Sequence, residues 1–516
     1  MHNETIVKHL NFGEEARDKV FQGIDKLTKA VSSTLGASGK CVILEDGGGN
    51  PQITKDGVTV ADSIILLDPV ENMGAVLLRE AARKTVSEAG DGTTTATVLA
   101  KSIIDHANNI QDTRALKEGI YSALKKVNKY LKDISTPVDG DMIDQVATIS
   151  ANNDRAIGVI IGKAFKEVKD TGIVTMEISD EPETIVEIVD GFQYDKGLQA
   201  LHYATDKTKK ISELKNPLVL IVEDEIKTIR RIQNILEYVI KNKRSLLIIA
   251  DADPKVHAAL AMNKMKGNIE VNILQAPVYG FTQKETLEDL ALLTGATVIN
   301  ENLGDDMDLI GPEHLGECTK VKTTDAETII QVARVPDEVH DIVEQVKDKM
   351  GKAKVEGLRR QLEKRVARLS AKVAVVKVGA NSEVELKEKS DRVEDAVCAT
   401  RAAIKEGIVP GGGIALLNAA QKIKSESKYE QILLDAIKAP FNIILENAGI
   451  NETEILAEEG VGLDVVTGNM VNMIDAGIID PLLVTKSALT NAVSVATTIL
   501  STDCVINNLR INESNR

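Results

Sequence analysis

The segment Gly90-Asp91-Gly92-Thr93-Thr94-Thr95 combines residue types that suit phosphate binding, and it opens a predicted helix. Glycines let the backbone approach a ligand closely, and a helix N-terminus points unpaired N–H groups at an anion. The carboxylate of Asp91 is of the kind that holds Mg²⁺ against phosphate oxygens. An Asp/Gly turn followed by threonine capping explains the same residues, so the segment alone leaves both interpretations open.

Two other polar turns come earlier in the chain. The first, residues 34–40, resembles a phosphate loop but fails the pattern GxxxxGK[ST], because Thr34 replaces the first glycine and Cys41 follows the lysine. An ordinary P-loop nucleoside triphosphatase is therefore not expected. The second, residues 53–60, lies between apolar runs and on its own favours a hairpin turn.

Charge and cysteine content exclude several classes of function. The chain has 78 acidic and 62 basic residues, a net charge of −16, which disfavours binding to nucleic acid or to an anionic membrane. Its four cysteines are scattered without CxxC spacing, a pattern of a reducing compartment rather than of disulfides or zinc. No signal peptide is recognised, and we expect no apolar run to approach the ~18–20 residues that span a bilayer. The sequence predicts a cytoplasmic protein.

The elements that must position these turns change character along the chain. At 516 residues, several domains are expected. Helical patterns at 17–35, 71–88 and 94–109 dominate the first part, and alanine-rich helices return from Lys405 onward. One discontinuous domain built from both ends would explain this similarity.

The middle of the chain alternates short apolar runs with helical patterns. Such alternation predicts an inserted α/β domain with a largely parallel sheet. The charged helical pattern at 337–370 favours two antiparallel surface helices over a free coiled coil. The predicted strands are residues 218–222, 246–250, 269–274 and 296–299.

Collinear motifs along almost the whole chain resemble group I chaperonins, the bacterial and organellar type, and indicate a divergent member. Alone, Arg392-Val393-Glu394-Asp395 favours a salt-bridged helix face, but beside the other motifs it matches the family's catalytic carboxylate. The matching segments are Asn72-Met73-Gly74-Ala75, residues 89–100, Thr148-Ile149-Ser150-Ala151-Asn152, residues 366–379, residues 392–396, residues 399–403, Gly411-Gly412-Gly413, Asn472-Met473-Ile474-Asp475 and Ile479-Asp480-Pro481.

The resemblance implies a multidomain fold with α+β and α/β parts. A helical equatorial domain, residues 1–136 and 406–516, would bind ATP. A small hinged intermediate domain, residues 137–189 and 373–405, would connect it to an inserted α/β apical domain, residues 190–372, that binds clients.

The resemblance also assigns roles to residues of the site. Asp91 matches the Mg²⁺ ligand, Asp395 the carboxylate that orients the attacking water, and Asp56 a second carboxylate near that water. K⁺ is a further cofactor of the resemblance. The residues matched to nucleotide binding are Thr34, Leu35, Gly36, Ala37, Lys55, Gly57, Gly92, Thr93, Thr94, Thr95, Ile149, Gly412, Asp464, Val465, Ile478 and Asp480. Those matched to client binding are Leu198, His202, Tyr203, Leu236 and Met262.

The function implied is that of an ATPase that encloses non-native proteins in a homo-oligomeric, seven-membered ring, single or double, and promotes their folding. The alternative is a ring-forming scaffold that binds proteins without productive ATP cycling. Retention of both Asp91 and Asp395 favours the first, because a scaffold needs neither. A small-molecule kinase is disfavoured by the missing P-loop.

Several positions depart from the family's pattern. Ala37 replaces a proline, Asp464 an asparagine, and Val465 and Val466 replace small alanines, which changes the expected adenine side of the site. Gln233 and Ala261 replace larger aliphatic residues of the client surface. That surface also binds the co-chaperonin, so the changes argue against the usual one as a partner.

Two further departures lie near the end of the chain. The segment between Gly449 and Asp464 is shorter than usual, and residues 506–516 lack the usual glycine- and methionine-rich tail. Both favour the hypothesis of a version carried by a virus or mobile element, with altered ring contacts.

Overall fold

The computed structural model describes residues 8–45, 49, 51–138, 140, 142–151, 154–168, 173–179, 181–194, 196–207, 209–276, 281–325, 327–352, 362, 365, 366, 369, 372–450 and 458–508. The chain forms two compact units. Unit 1 comprises Met1–Gly162, Asp180–Glu183 and Val378–Arg516, and unit 2 comprises Lys163–Ser179 and Thr184–Lys377. The finer, three-domain division remains a prediction.

The helices and strands are as follows in chain order. The first part contains β1 (Lys8–Phe12), α1 (Gly13–Ser32), β2 (Val42–Glu45), β3 (Pro51–Thr54), α2 (Gly57–Ser63), α3 (Pro69–Ala89), α4 (Thr93–Ala107), α5 (Thr113–Asp133), α6 (Met142–Ser150) and α7 (Arg155–Val168). The middle contains β4 (Ile173–Ile178), β5 (Ile185–Tyr194), β6 (Ser212–Lys215), β7 (Leu218–Val222), α8 (Gln233–Lys241), β8 (Leu246–Ile249), α9 (Pro254–Met265), β9 (Val271–Leu274), α10 (Phe281–Thr294), β10 (Val298–Ile299), β11 (Gly316–Glu317), β12 (Lys320–Thr323), β13 (Thr328–Val332), α11 (Asp337–Lys352) and β14 (Lys372–Val378). The last part contains α12 (Glu383–Glu406), β15 (Ile408–Pro410), α13 (Ile414–Lys422), α14 (Lys428–Ala436), α15 (Ala439–Asn447), β16 (Val461–Asp464), β17 (Asn469–Asn472), β18 (Ile479–Pro481), α16 (Leu482–Leu500) and β19 (Cys504–Asn508).

Unit 1 is organised around α4. This helix contacts α1, α3, α14, α15 and α16. It can be surrounded because its buried residues, from Ala96 to Ala107, occupy most of its circumference rather than one stripe, as expected for a central helix. The packing of these helices against α4 therefore fixes the position of its first residues, 93–95.

Two glycines allow α1 and α3 to pack in close contact. A Cβ at Gly23 would lie 1.8 Å from the carbonyl oxygen of Glu71, and a Cβ at Gly74 would lie 2.2 Å from that of Val20. Each helix thus presents a glycine to the backbone of the other. The segment 72–75, recognised as a family motif, is therefore the contact that sets the spacing of α1 and α3.

One expectation about apolar runs was wrong. Among the described residues, one helix, Leu482–Leu500, is long and apolar enough to span a membrane by length and composition. In the most apolar window of this helix 67% of the residues are buried, and the helix packs on α3, α4 and α5. A helix that is apolar because other helices surround it meets the same criterion as a membrane span.

Unit 2 contains two sheets. The strands β10, β7, β8 and β9 form a parallel sheet, with β11 antiparallel to β7. They lie at the four predicted positions, so the predicted parallel sheet is confirmed. A six-stranded sheet in the order β4, β14, β5, β13, β12, β6 was not predicted. Of the two predicted helices at 337–370, α11 forms the first, and most of the second lies outside the described residues.

Candidate nucleotide site

Three loops of unit 1 meet at Thr94. The turn after α1 reaches it through Thr34, whose hydroxyl oxygen lies 3.5 Å from that of Thr94. The turn before α2 reaches it through Gly57, where a Cβ would lie 2.4 Å from Thr94 Oγ1, so any larger residue would force the Thr94 hydroxyl to move. The third loop is residues 90–95. The three polar turns recognised in the sequence thus form one surface.

The first loop is held from behind by α15. The side-chain amide of Asn447 donates to the carbonyl oxygens of Ser32 and Leu35, both at 2.9 Å. Gly36 has a φ of 84°, a conformation that suits glycine. Ala37 follows on the exposed side of the turn. The turn forms although Ala37 stands where the family's pattern has a proline.

The N-terminus of α4 offers unpaired donors. Its N-cap, Gly92, has a φ of 96° and supplies no capping side chain. The first hydrogen bond of the helix runs from the N–H of Ala96 to the carbonyl of Gly92, so the N–H groups of Thr93, Thr94 and Thr95 have no partner within the helix. A phosphate group is the kind of anion that such a terminus binds.

Asp91 lies at the edge of this N-terminus. It accepts a hydrogen bond from the N–H of Gly92, while its side chain remains open to water. The protein atoms crowded around it displace part of its hydration, which raises the pKa of Asp91 above its ordinary value, and the charge of Asp56 raises it further. Asp91 thus lies in a recess beside the N-terminus of α4, close enough to Asp56 for their charges to interact.

Asp395 is brought to the same recess by α12. Its pKa is well above the ordinary value, first because of lost hydration and then because of the charges of Asp91 and Asp56. The carboxylate is exposed to water, as expected for the wall of an open recess. Asp91 and Asp395 are about three hundred residues apart in sequence, as 395 − 91 = 304, and α12 brings Asp395 next to Asp91.

These carboxylates fit Mg²⁺. Among the described residues, neither Asp91 nor Asp395 forms an ion pair, and like charges face one another across the recess. The described part of the chain contains no complete cage of three or more His, Cys, Asp or Glu side chains. Proteins bind Mg²⁺ through one or two carboxylates and the phosphates of a substrate, and Asp91 and Asp395 are carboxylates of this kind.

Asp56 has a second task, which the sequence reasoning missed. It is the N-cap of α2, where its carboxylate accepts from the N–H groups of Val58 and Thr59 at 3.1 and 2.8 Å. The Thr59 hydroxyl donates to it at 2.5 Å. Asp56 is therefore held rigidly at the recess, while the adjacent Lys55 is half-buried.

A second group of predicted residues lies where β15 pairs with β18. The register places Val409 opposite Asp480, and the N–H of Gly411 donates to the carbonyl of Ile478 at 2.9 Å. Gly412, with a φ of 63°, faces Ile478. Lost hydration and the charge of Asp91 raise the pKa of Asp480 to about 7, so Asp480 joins this group to the phosphate side.

Ile149 belongs to the same neighbourhood. It packs in an apolar cluster with Val146, Ala403, Ile408 and Ile479. Ile149 thus lies beside the β15–β18 pair, as a nucleoside contact requires. Asn152, part of the same motif, lies outside the described residues.

Asp464 and Val465 lie at the end of the β16–β17 hairpin. The Asp464 carboxylate accepts from the N–H of Val466 at 2.9 Å and from the Thr467 hydroxyl at 2.6 Å, and these bonds lower its pKa. Val465 packs beside the apolar cluster that contains Ile414 and Met473. Asp464 therefore shapes the turn, and a contact with the nucleoside stays a prediction.

The predicted client-binding residues lie in unit 2 and differ in exposure. Tyr203 is fully buried, and its hydroxyl donates to the carbonyl of His257 at 3.0 Å, so a direct client contact does not fit this structure. His202 is exposed, and Met262 is 53% exposed. Leu198 and Leu236 are half-buried beside the apolar core of this unit. For these four, client binding remains a prediction.

One neighbour of the recess was not singled out from the sequence. Cys398, on α12, packs against Gly90, where a Cβ would lie 2.4 Å from the Cys398 Cβ. Lost hydration raises the pKa of its thiol to about 11. No sequence signal distinguishes it from the other scattered cysteines.

Comparisons with known proteins concern the family and the fold of the chain. Residues 27–510 match the TCP-1/cpn60 chaperonin family. Among solved structures, the chain is similar to the chaperonin gp146 from bacteriophage EL 2 (Pseudomonas aeruginosa), crystallised in the presence of ATP-BeFx. Crystal form II gives a TM-score of 0.73 at 20% identity over 98% of this chain and 100% of that chain. Crystal form I gives 0.66 at 20% identity over 97% and 99%. At this identity the likeness concerns the fold, whereas the family match spans most of the sequence. The chain therefore belongs to the TCP-1/cpn60 chaperonin family.

Proposed function

We propose that this protein is an ATP-hydrolysing chaperone that encloses non-native proteins in a homo-oligomeric ring and promotes their folding. A chaperone role follows from the family. Binding and hydrolysis of ATP are supported by one observation above the others, the meeting of three loops at Thr94 beside the carboxylates of Asp91 and Asp395. The gp146 crystals were grown with an ATP analogue, which agrees with this proposal.

The residues around Thr94 suit the binding of a triphosphate. The N–H groups of residues 93–95 would donate to phosphate oxygens at the N-terminus of α4. Asp91 would hold Mg²⁺, which supplies charge neutralisation for the phosphates. The glycines at 57 and 92 keep side chains out of the space that the phosphates need.

Asp395 would provide the catalytic step. Transfer of a phosphoryl group to water needs charge neutralisation and one group that orients the water. Lost hydration and the charges of Asp91 and Asp56 raise the pKa of Asp395, so a nearby positive charge would favour its ionised form. With a cation present, Asp395 would be ionised and able to accept a hydrogen bond from the attacking water. Asp56, fixed as an N-cap, would assist as a second carboxylate.

The nucleoside would bind beside the β15–β18 pair. Gly412 and Ile478 offer a flat apolar surface, and Asp480 offers a carboxylate for sugar hydroxyls. Ile149 would close the apolar side.

Clients would bind to unit 2. On α9, Met262 is 53% exposed and Met265 is 59% exposed. Leu201, in a short helix earlier in the chain, is 48% exposed. Exposed apolar residues of this kind suit the capture of unfolded segments. A seven-membered ring and a role for a co-chaperonin are parts of the family resemblance that this surface does not itself determine.

Steady-state ATPase activity of the wild type and Asp395→Ala tests the proposal. We expect hydrolysis to fall on the order of a hundredfold when the water-orienting group is lost, with ATP affinity retained. Asp105→Ala is the matched control, since Asp105 lies on the exposed side of α4 and pairs with Lys101. Equal activity of wild type and Asp395→Ala would refute the role of Asp395, and an inactive wild type would favour the scaffold alternative.

A further inference from the structure

The helix that carries Asp395 is seated on the nucleotide loop through one small contact. Gly90 ends α3 with a φ of 78°, and a Cβ built on it would lie 2.4 Å from Cys398 Cβ and 2.9 Å from Cys398 Sγ. The Cys398 side chain therefore fills the space that the absent side chain of Gly90 leaves. No side chain can be added at Gly90 without separating α12 from the loop.

Asp395 and Cys398 lie on the same face of α12. They are three residues apart, and Ala402 follows four residues later, so all three point towards the end of α3. Ala402 packs with Ala89 and Val484 in a small buried cluster. The face of α12 next to the loop is thus built from small residues, and its distance from the loop depends on their size.

The contact also fixes the loop itself. Gly90 and Asp91 are consecutive, so a displacement of Gly90 moves the carboxylate that would hold Mg²⁺. The described side chains of Ala402, Ala89 and Val484 are buried, which leaves little freedom for α12 to rotate around the contact. Of the two small α12 side chains on this face, Cys398 and Ala402, Cys398 is the larger.

We propose that Cys398 is a positioning residue for ATP hydrolysis, because the volume of its side chain against Gly90 sets how closely Asp395 approaches the phosphate site. The inference rests on the proposed function. A cysteine behaves here as a small apolar group, so its thiol takes no part in the chemistry. The volume at position 398, and not its chemical identity, is the property that matters.

Kinetics of a volume series tests the proposal. The variants Cys398→Ala, Cys398→Ser, Cys398→Val and Cys398→Leu are compared with wild type in ATPase assays. Serine and alanine preserve the seat of α12, so kcat stays within about threefold of wild type. Leucine forces α12 outwards, and a displacement of about 1 Å at Asp395 lowers kcat on the order of tenfold to a hundredfold. KM and ADP affinity stay close to wild type, because the groups that bind the nucleotide belong to other elements.

Controls separate positioning from general damage. Cys41→Leu makes the same change at an exposed cysteine and should leave kcat unchanged. Melting temperature and ADP binding show whether Cys398→Leu folds, and Cys398→Val supplies a smaller step if it does not. An active wild type with an equally active Cys398→Leu or Cys398→Val overturns this inference alone. A loss of ADP affinity that parallels the loss of kcat also overturns it, since the effect is then structural. An inactive wild type overturns the proposed function.

Discussion

The carboxylate of Glu430 gives a quantitative prediction about the helical core that supports the site. Glu430 lies on α14, is 3% exposed, and accepts from the Ser122 hydroxyl at 2.7 Å and from the N–H of Glu426 at 2.7 Å. The ammonium group of Lys126 lies 2.9 Å away. These contacts join α14 to α5, and α14 also packs on α4.

The magnitude follows from the pKa of Glu430. The hydrogen bonds from the Glu426 N–H and the Ser122 hydroxyl, followed by Lys126, lower that pKa from 4.5 to about 2. Each pH unit corresponds to about 1.4 kcal/mol, so the upper limit is about 3.4 kcal/mol of unfolding free energy. Because the side chain of Lys126 is 30% exposed and screened by water, we expect about 2 kcal/mol for Glu430→Gln.

The pH dependence has a definite sign. A carboxylate whose pKa is lower in the folded state stabilises the fold fully above its unfolded pKa of 4.5, and this stabilisation is lost as the pH falls through about 2. The difference between wild type and Glu430→Gln should therefore be full at pH ~7 and fall to roughly 40% of that value at pH ~3. Urea unfolding of the whole chain at both pH values, followed by circular dichroism, measures it.

A matched variant makes the test specific. Glu426→Gln removes a carboxylate that lies 3.0 Å from the same Lys126 but is 79% exposed, so its effect should stay below about 0.5 kcal/mol. Equal effects of the two changes, or a Glu430→Gln effect that does not change with pH, would refute the reasoning.

Two further predictions concern the recess and unit 2. Gly57→Ala should weaken ATP binding about tenfold, because its Cβ would lie 2.4 Å from Thr94 Oγ1. Calorimetric titration should show that the same change has little effect on ATP affinity in a Thr94→Ala background. An equal loss of affinity in both backgrounds would contradict the contact. Arg365→Met should destabilise unit 2 by about 3 kcal/mol, since it removes the guanidinium group that lies 2.7 Å from the carboxylate of Asp289, whose side chain is 2% exposed. Lys284→Met is the matched control, because Lys284 forms an exposed ion pair of 4.0 Å on the helix that carries Asp289. It should lower the free energy of unfolding by less than about 0.5 kcal/mol, measured by urea titration. Similar losses for the two changes would exclude a special role for the buried pair.

Local patterns were enough to predict the parallel sheet and to mark the three polar turns, although residues 53–60, which favoured a hairpin turn on their own, instead lead from β3 into α2. Each loop carries its own glycines and polar residues, and each strand of the parallel sheet is a continuous apolar run such as residues 218–222. The helices around them follow a clear periodicity, and their boundaries agree within a few residues.

The six-stranded sheet of unit 2 was missed for a physical reason. Its strands β6 and β12 are four residues long, and three of the four residues in each are polar, Ser-Glu-Leu-Lys and Lys-Val-Lys-Thr, so they lack an apolar run. The strand β14 pairs with β5, which lies far away in sequence. Such strands are stabilised by their partners, and no short window of sequence contains that information.

The site shows the same division. The meeting of Asp91 with Asp395 was expected only from the family resemblance, because no local pattern joins positions so far apart. The burial of Tyr203, the capping role of Asp56 and the contact of Cys398 with Gly90 depend on packing between elements. Residue type alone indicates what a side chain can do, whereas its neighbours decide whether it does so.

Recovery of a chemically denatured enzyme is the most direct measurement of the central claim, that ATP hydrolysis drives folding. The denatured enzyme is diluted into wild type, or into Asp395→Ala, with and without ATP and Mg²⁺. We predict that wild type raises the recovered activity only with ATP and Mg²⁺, and that Asp395→Ala holds the client without releasing it in active form. Recovery that is the same with and without ATP, or the same for both proteins, would contradict the account and favour a scaffold that does not use ATP.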